Sequence, residues 1–487
     1  MSAAVTLAAG LLTLSHALVG VFYDDGLYAG LATALAAGHG YAHPNLPGMP
    51  GAVHYPPLYP LLLAPLFGVL PLAAAAIAAK LFNVLLAAAS AGLITWHLLT
   101  TDVFGESSPR WLPPALVTAA AIAIPVLATQ AVLFAEPLFA LLLAAAIVCA
   151  DRRASPWLTG AMIALALLTR SIAIAAAAGI ACFMLAPPRR VTPRTLIVLL
   201  LPVFVASLAW SLWVTSKQKA IDPALALTYG SYGAVLQQTG LSALGVSAPD
   251  LIRPLEAITL GWIPVAWVYN LLATAMLGVG LYGLALLSRR SAIGFTLIFY
   301  LAILAIWPYP PDRFLWAVLP WLGVAWAVGA LTIWGRWRRA RIPIAALALL
   351  LAAGYARYEI QGFVGRWWGT QAQAISANFA ELLPVVANLP PSAVVATDDE
   401  ALVWLYTHRQ AVPLYLEHYQ GRAVIRPTPA EHRAYLERMG VTHILLASAT
   451  SPSAIELRAL MTANPNWLTA LYRWPDGRWL FAVQRGS

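Results

Sequence analysis

Adjacent carboxylates are the first residues of this chain whose types and spacing suggest chemistry. Asp24 and Asp25 stand side by side directly after an apolar N-terminal stretch. Two neighbouring carboxylates repel each other, so at least one of them should accept hydrogen bonds, bind a cation or act as a base. The alternative is a solvated helix start, because acidic residues favour helix N-termini. The pair is therefore a candidate catalytic site, with the role of each acid open.

Isolated charges within or beside apolar stretches are the second group of candidates: Glu136, Arg170, Lys217 and Arg313. An ionisable side chain in such a place is costly unless it is paired, so each is a functional candidate. Arginine suits phosphate because its planar guanidinium can donate two hydrogen bonds at once. The alternatives are an interfacial anchor for each arginine and a structural ion pair for Glu136. Lys80 lies nearer a helix middle and is assigned no role.

The acidic pair lies at the start of a long loop over 23–57 that becomes rich in Pro and Gly, and a loop of this length more often has a function than serves as a linker. It contains His39, His43 and His54, whose spacing matches no zinc motif. We therefore expect no metal and no other cofactor, and the residues give no support for a divalent cation.

The composition predicts that these candidate residues belong to a membrane protein. The chain has 487 residues, of which 61% are hydrophobic and 10% charged, with a mean hydropathy of +0.74. A soluble core of this length could not bury so much apolar side chain. Roughly eleven apolar stretches predict an α-helical polytopic membrane protein. They lie near 3–22, 72–98, 112–128, 131–150, 157–169, 171–186, 195–215, 262–287, 291–307, 314–334 and 342–356.

The first stretch lacks a basic region and a small-residue cleavage site before Asp24, which favours an uncleaved helix over a signal peptide. Basic residues gather in alternate loops, at Arg110, Arg152–Arg153, Arg189–Arg194, Arg289–Arg290 and Arg336–Arg341. By the positive-inside rule these loops and the N-terminus are cytoplasmic. The net charge of +9 thus reflects topology rather than nucleic-acid binding, which needs one basic water-facing surface.

Two domains follow from this organisation. Residues 1–356 form a transmembrane catalytic domain, whose outer loop 23–57 includes apolar residues at helical spacing over 26–37, typical of a short interfacial helix. Residues 357–487 form a C-terminal domain on the outer, extracytoplasmic side. The other outer segments are the turn near 128–131, the junction at Arg170, and the loops 216–260 and 308–313.

The C-terminal domain is expected to be a small α/β domain, because its composition changes to that of soluble protein from about residue 380. Short apolar patches at 393–396 and 443–446 predict strands, and 430–439 predicts a helix. Asp476-Gly477 suits the tight turn of a hairpin.

The first outer loop carries a family resemblance. The acidic pair lies three residues before Tyr28, and is followed by Gly38-His39-Gly40-Tyr41 and then Tyr55-Pro56-Pro57-Leu58-Tyr59-Pro60. This pattern resembles the first outer loop of the GT-C membrane glycosyltransferases, in the branch with protein O-mannosyltransferases and lipid A aminoarabinose transferases. Asp25 stands where that family commonly has Glu, which leaves open which acid acts.

Three other segments resemble further landmarks of the same family: Glu136–Phe139, Leu167–Arg170, and Asp312–Leu315 followed by Pro320. The resemblance covers residues 1 to about 335, and an outer C-terminal domain is also usual in the family.

The resemblance implies an inverting glycosyltransferase that moves a sugar from a polyprenyl-phosphate donor to an acceptor hydroxyl of a lipid, glycan or protein. It implies that Asp24 is the base, with Asp25 orienting the acceptor or taking that role instead. The residues implied to contact substrate are Tyr28, His54, Tyr55, Glu136, Arg170, Lys217 and Arg313. Of these, the three cations are the candidates for the lipid phosphate.

The expected partners are the lipid bilayer, the lipid-linked sugar and the acceptor, without nucleic acid. Ala-, Arg- and Pro-rich usage suggests a GC-rich bacterium, and hence the inner membrane and an undecaprenyl or decaprenyl carrier. A transporter or flippase is the main alternative, but it would be expected to have paired repeats with helices broken near the bilayer midplane. A lipid-linked glycan polymerase or ligase, and a non-catalytic scaffold, are the others.

Overall fold

The computed structural model describes residues 1–105, 108–239, 249–307, 310–416, 418–420 and 423–484. By their internal contacts these residues form two compact units. The helical unit comprises Met1–Ser15, Lys80–Trp210 and Ala243–Thr370, and the mixed unit comprises His16–Ala79, Ser211–Ser242 and Gln371–Ser487. Both units combine segments that are distant in the chain, so the predicted boundary at residue 356 stays a prediction. Parts of the predicted outer segments 216–260 and 308–313 lie outside the described residues.

Most of the described residues lie in helices, above all in the helical unit. In chain order, helices α1 to α20 are Ser2–Thr13, Asp24–Ala36, Leu58–Val69, Leu72–Leu99, Leu112–Ala121, Ile124–Ala131, Glu136–Asp151, Pro156–Leu167, Ile174–Leu185, Pro193–Lys217, Tyr232–Thr239, Arg253–Thr259, Ala266–Arg290, Ala292–Ala305, Asp312–Arg336, Arg341–Gly365, Trp367–Ala387, Glu400–Thr407, Pro429–Arg438 and Pro452–Ala463. Strands β1 to β7 are Val394–Thr397, Gln410–Pro413, His418–Gln420, Ala423–Ile425, His443–Leu446, Leu468–Arg473 and Trp479–Val483.

Long apolar helices give the chain the character of a multi-pass membrane protein. Within the described ranges, the helices long and apolar enough to cross a membrane number five: Leu72–Leu99, Pro193–Ala220, Ala266–Arg290, Asp312–Arg336 and Arg338–Ala387. Helices α5 and α6 form a pair bent by 53°, which would make a sixth span if it crosses as one. Each apolar stretch predicted from the sequence contains a helix, although several of these helices are short.

The first predicted helix, over 3–22, is wrong at its C-terminal end, because α1 stops at Thr13. Beyond it, the backbone N–H groups of Leu18 and Val19 donate to side chains of the mixed unit. Leu18 donates to Ser376 at 2.8 Å, and Val19 donates to the hydroxyl of Tyr406 at 3.0 Å. These donors are therefore satisfied without a helix, and the chain there follows tertiary contacts rather than its apolar composition.

Small residues allow α13 and α15 of the helical unit to lie in very close contact. A Cβ on Gly283 would be 1.8 Å from the carbonyl oxygen of Ala325, and one on Gly329 would be 2.2 Å from that of Val279. Such contact between backbones is typical of membrane helices that associate through small residues. It fixes the position of α15, the helix that carries Arg313 in its first turn.

At the break between α5 and α6, a side chain from α16 accepts a hydrogen bond from the first backbone N–H of α6. The N–H of Ile124, at the start of α6, donates to Glu359 Oε2 at 3.0 Å, and Glu359 is buried. A helix start inside a bundle needs such an acceptor, because its first N–H groups have no partner within the helix.

The mixed unit contains a five-stranded sheet of order β2-β1-β5-β7-β6. Strands β2, β1 and β5 are parallel, whereas β5, β7 and β6 are antiparallel. The predicted strands near 393–396 and 443–446 and the predicted helix near 430–439 are confirmed as β1, β5 and α19. The predicted hairpin is also confirmed: Gly477, with a φ of +82°, lies in the turn between β6 and β7.

Helix α2 differs from the interfacial helix that was predicted. Its buried residues include Asp24, Asp25, Gly26 and Leu27 at the start and run on through Ala32 with Ala34. Burial therefore extends around the helix rather than along one face. The predicted amphipathic pattern is wrong, because protein contacts within the mixed unit cover the side expected to be polar.

Candidate active site

A strained turn places the acidic pair. Tyr23 has φ 63° and ψ −72°, and the N–H of Asp24 donates to the carbonyl of Phe22 at 2.7 Å. These values describe a γ-turn of the rare form, which strains a residue other than glycine. Strained turns persist only where surrounding contacts hold them, and they concentrate at functional sites. Helix α2 begins immediately after this turn, with Asp24 and Asp25 as its first residues.

Asp25 is occupied by the backbone of the turn. Its carboxylate accepts the N–H of Gly20 at 2.8 Å and the N–H of Phe22 at 2.9 Å, and the residue is 1% exposed. Burial raises the pKa of Asp25, while the bonds from these N–H groups oppose the rise. Asp25 therefore holds the preceding loop in shape.

Asp24 has a different environment, because it faces aromatic side chains. The hydroxyl of Tyr55 donates to Asp24 Oδ1 at 2.7 Å. The Tyr55 ring lies 4.9 Å from that of Tyr28, which in turn lies 5.0 Å from that of Tyr59. The three tyrosines are buried and pack against one another. This packing holds the Tyr55 hydroxyl in position to orient the carboxylate.

The loop between α2 and α3 positions Tyr55 through its own hydrogen bonds. The N–H of His43 donates to the carbonyl of Pro50 at 2.9 Å, and the N–H of Ala52 donates to that of Tyr41 at 3.0 Å. The hydroxyl of Tyr41 then donates to the carbonyl of Tyr55 at 2.8 Å. The loop is thus a closed, hydrogen-bonded structure rather than a linker.

His54 and Lys217 belong to the same unit as the acidic pair. His54 Nδ1 lies 2.7 Å from the carbonyl oxygen of Gly230, and the residue is buried. Lys217 packs its stem on Gly51, where a Cβ would lie 2.9 Å from Lys217 Cγ. Its ammonium is 5.3 Å from the ring of Trp213. Gly51 is required here because any side chain would displace Lys217.

Sequence reasoning missed a buried acid of the C-terminal sheet. The hydroxyl of Tyr229 donates to Glu400 Oε1 at 2.6 Å and accepts from Asn45 Nδ2 at 2.8 Å. Glu400 is 0% exposed. In the sequence, Asp398-Asp399-Glu400 before an apolar run is typical of an ordinary helix start, so the only available signal was the density of acids. Its buried contact with Tyr229 is what makes Glu400 a candidate functional residue.

In the helical unit, one carboxylate pairs with both candidate arginines. Arg170 Nη2 lies 2.7 Å from Glu136 Oε1, and Arg313 Nε lies 3.7 Å from the same oxygen. Glu136 is 2% exposed, Arg170 is 6% exposed and the side chain of Arg313 is 35% exposed. Asn83 fixes the turn before Glu136 by donating to the carbonyls of Val132 and Phe134. Arg170 is therefore enclosed beside Glu136, whereas the side chain of Arg313 is partly exposed.

Lys80 is a structural residue of the helical unit. It is 2% exposed and donates to the carbonyl of Ser15 at 3.1 Å, just beyond α1. In the part of the chain that the structure describes, no group of three or more His, Cys, Asp or Glu side chains has the arrangement of a metal site.

The predicted residues thus fall into one set in each unit. Those of the mixed unit are Asp24, Asp25, Tyr28, His54, Tyr55 and Lys217, and those of the helical unit are Glu136, Arg170 and Arg313. The hydrogen bonds join Asp24 with Tyr55, and the ion pairs join Glu136 with both arginines. Their roles in a reaction stay predictions.

Comparison with solved structures identifies the fold. ArnT from Cupriavidus metallidurans in the apo state matches with a TM-score of 0.55 and 16% identity, over 99% of this chain and 97% of ArnT. The same protein bound to undecaprenyl phosphate matches with a TM-score of 0.51 and 15% identity over the same shares. The Archaeoglobus fulgidus oligosaccharyltransferase in complex with zinc and sulfate gives 0.51 and 13% identity, over 98% of this chain and 73% of that one.

The chain therefore has the fold of the GT-C membrane glycosyltransferases, and the resemblance inferred from the first outer loop is confirmed at this level. Among the solved members it is similar to ArnT over nearly the whole length of both chains. No protein-family model matches the sequence, and no curated protein matches it.

Proposed function

We propose that this protein is an inverting glycosyltransferase that moves a sugar from a polyprenyl-phosphate donor to an acceptor hydroxyl. The observation that carries the proposal is the environment of Asp24: a carboxylate oriented by Tyr55 at 2.7 Å, next to an Asp25 whose oxygens already accept backbone N–H groups. The fold shared with ArnT supports the class of reaction.

Asp24 acts as the general base in this proposal. Its carboxylate takes the proton of the acceptor hydroxyl as that oxygen attacks the anomeric carbon of the sugar. The bond between the anomeric carbon and the phosphate oxygen breaks, and polyprenyl phosphate leaves with the electron pair. One direct displacement needs no carboxylate nucleophile, so the anomeric configuration inverts. Tyr28, Tyr55 and His54 are proposed to contact substrate, as the family resemblance implies.

The cations act on the phosphate. Arg313 is proposed as a phosphate ligand because its side chain is 35% exposed in the first turn of α15, with Nε 3.7 Å from Glu136 Oε1. Arg170 and Lys217 are further candidates, with Glu136 orienting the arginines. A guanidinium stabilises the leaving phosphate through charge and a planar pair of donors.

The proposed setting is a bacterial inner membrane that the chain crosses about eleven times. The broken pair α5–α6 and the shorter apolar helices supply the crossings beyond the long ones. The basic loops face the cytoplasm with the N-terminus, and residues 23–57 and the C-terminal α/β domain face outward. The acceptor is a lipid, a glycan or a protein.

The test is transfer of radiolabelled sugar in membranes that contain the protein, with polyprenyl-phosphate sugars offered alongside nucleotide sugars. We expect label to pass from the lipid-linked donor to an acceptor, and the variant Asp24→Asn to abolish the transfer. Asp102→Asn is the matched control, because Asp102 is an exposed acid outside the candidate site.

Transfer from the nucleotide sugar instead would contradict the donor assignment. Sugar flux across proteoliposomes without any transfer would favour the transporter alternative.

A further inference from the structure

Glu400 connects the C-terminal sheet to the loop between α2 and α3. It is the first residue of α18, separated from β1 by Asp398 and Asp399, and it is fully buried. Tyr229 donates to it at 2.6 Å, and Asn45 donates to Tyr229 at 2.8 Å. A buried carboxyl in such a chain of bonds is costly to rearrange, because each broken bond leaves a buried polar group without a partner.

The next residues of α18 contact the segment that contains the strained turn. A Cβ on Gly20 would lie 2.6 Å from Leu402 Cβ, and one on Gly26 would lie 2.9 Å from Ala401 Cβ. Both glycines are needed for this close approach, and they lie on either side of Tyr23. The start of α18 therefore forms the surface on which the turn is built.

The side chain of Tyr23 completes the connection. Its ring packs edge-on against that of Tyr229, with 6.1 Å between centroids. Tyr229 is thus bonded to Glu400 while it packs on the residue whose backbone is strained. A γ-turn of this form needs such support, since its backbone strain persists only where surrounding contacts hold it.

We propose that Glu400 is a positioning residue for the transfer reaction, which acts through Tyr229 to hold Tyr23 in the turn that aims the Asp24 carboxylate. The segment that follows β1 is then a structural part of the proposed active site. The proposal rests on the proposed function, because it assigns Glu400 a role toward the same base.

The buried surroundings of Glu400 favour its protonated form. Burial raises the pKa of Glu400 to about 8 and that of Asp399 to about 7, with Asp398 adding to both. The titratable groups around it are Tyr23, Asp25, His43, Tyr229, Asp398, Asp399 and Tyr435. The charges that these neighbours can contribute near neutral pH are negative, because burial lowers the pKa of His43 to about 3.

The direction of the pH effect follows from this shift. A carboxyl whose pKa is higher in the folded state binds its proton more tightly there, so folding stability falls as the pH rises from the usual carboxyl range to about 8. Ionised Glu400 would also repel ionised Asp399 at the start of α18, the surface on which Gly20 and Gly26 pack on either side of the turn. We therefore expect transfer to decline on the alkaline side near pH 8.

The experiment compares Glu400→Gln, Glu400→Ala and the control Glu437→Gln, an exposed acid on α19, in the full-length protein in detergent. Glutamine mimics the protonated carboxyl, so Glu400→Gln should keep wild-type kcat at pH 7 and shift the alkaline limb to higher pH. Glu400→Ala should lower kcat by about tenfold to a hundredfold while KM for the donor stays unchanged. Tyr229→Phe should lower kcat in the same way, and Glu437→Gln should match the wild type.

A pH profile of Glu400→Gln that superimposes on the wild type would overturn the proposal, as would a Glu400→Ala variant that loses only thermal stability. These results differ from a failure of the proposed function, in which the wild type itself transfers no sugar from any polyprenyl-phosphate donor.

Discussion

The central feature at the scale of single residues is that two adjacent acids have different hydrogen-bond partners. Asp25 accepts two N–H groups of the loop before it, whereas Asp24 accepts the hydroxyl of Tyr55. The difference arises from the turn at Tyr23, which points one carboxylate back at its own backbone and the other toward aromatic side chains. Spacing alone could not separate these roles, because consecutive residues look equivalent until the turn is known.

Tyr55→Phe tests whether Tyr55 orients Asp24, the proposed base. The change removes the donor to Asp24 and keeps the ring, and a hydrogen bond to a charged group contributes about 1.5–3 kcal/mol. We expect kcat for sugar transfer to fall by about tenfold or more with little change in KM for the donor. The control is Tyr472→Phe, an exposed tyrosine of β6. An unchanged kcat would show that Tyr55 does not orient the base.

At the scale of elements, Glu136 joins three parts of the helical unit. It starts α7, Arg170 lies between α8 and α9, and Arg313 lies in the first turn of α15. The sequence predicted that these charges would be functional or paired, and the structure pairs them. It could not predict that both arginines share one oxygen at unequal distances, because that depends on how closely α13 and α15 pack.

The unequal pairing predicts different effects for the two arginines. Arg170→Gln removes the closest partner of a buried carboxylate, so the protein should be destabilised by about 3–5 kcal/mol. Arg313→Gln should leave stability near that of the wild type and raise KM for the lipid-linked donor by about tenfold, equivalent to about 1.4 kcal/mol. Thermal unfolding in detergent and initial rates measure the two effects.

Arg338→Gln, at an exposed arginine, is the control for both arginine variants. Destabilisation by Arg313→Gln together with a raised KM in a stable Arg170→Gln protein would reverse the assignment.

Prediction of the elements from sequence succeeded where local pattern decides structure. Apolar run length located helices in every predicted stretch, and Asp476-Gly477 located a hairpin. The prediction failed where contacts between residues distant in the chain determine the structure. Helix α1 ends early because Leu18 and Val19 bond side chains far along the chain, and Glu400 meets Tyr229 across 171 residues of sequence.

At the scale of the whole molecule, the proposal depends on orientation in the membrane. Impermeant maleimide labelling of single cysteines in intact spheroplasts tests it, after Cys149 and Cys182 are replaced by alanine. We expect His39→Cys and Thr450→Cys to be labelled from outside, because both positions are exposed and predicted to face outward. Arg338→Cys, in a basic loop, should react only after permeabilisation. The reverse pattern would place the acidic pair in the cytoplasm and contradict the use of an outward-facing lipid-linked donor.

The most direct test of the account compares Asp24→Asn with Asp25→Asn in the same preparation, by sugar transfer and by thermal unfolding. Asp24→Asn should unfold near the wild-type temperature yet transfer sugar about 10²–10⁴-fold more slowly, as expected for loss of a general base. Asp25→Asn should unfold at a lower temperature, since an amide supplies only one acceptor oxygen for the two N–H groups that Asp25 binds. The free energy of unfolding should fall by about 1–3 kcal/mol. Full transfer activity in Asp24→Asn would contradict the account.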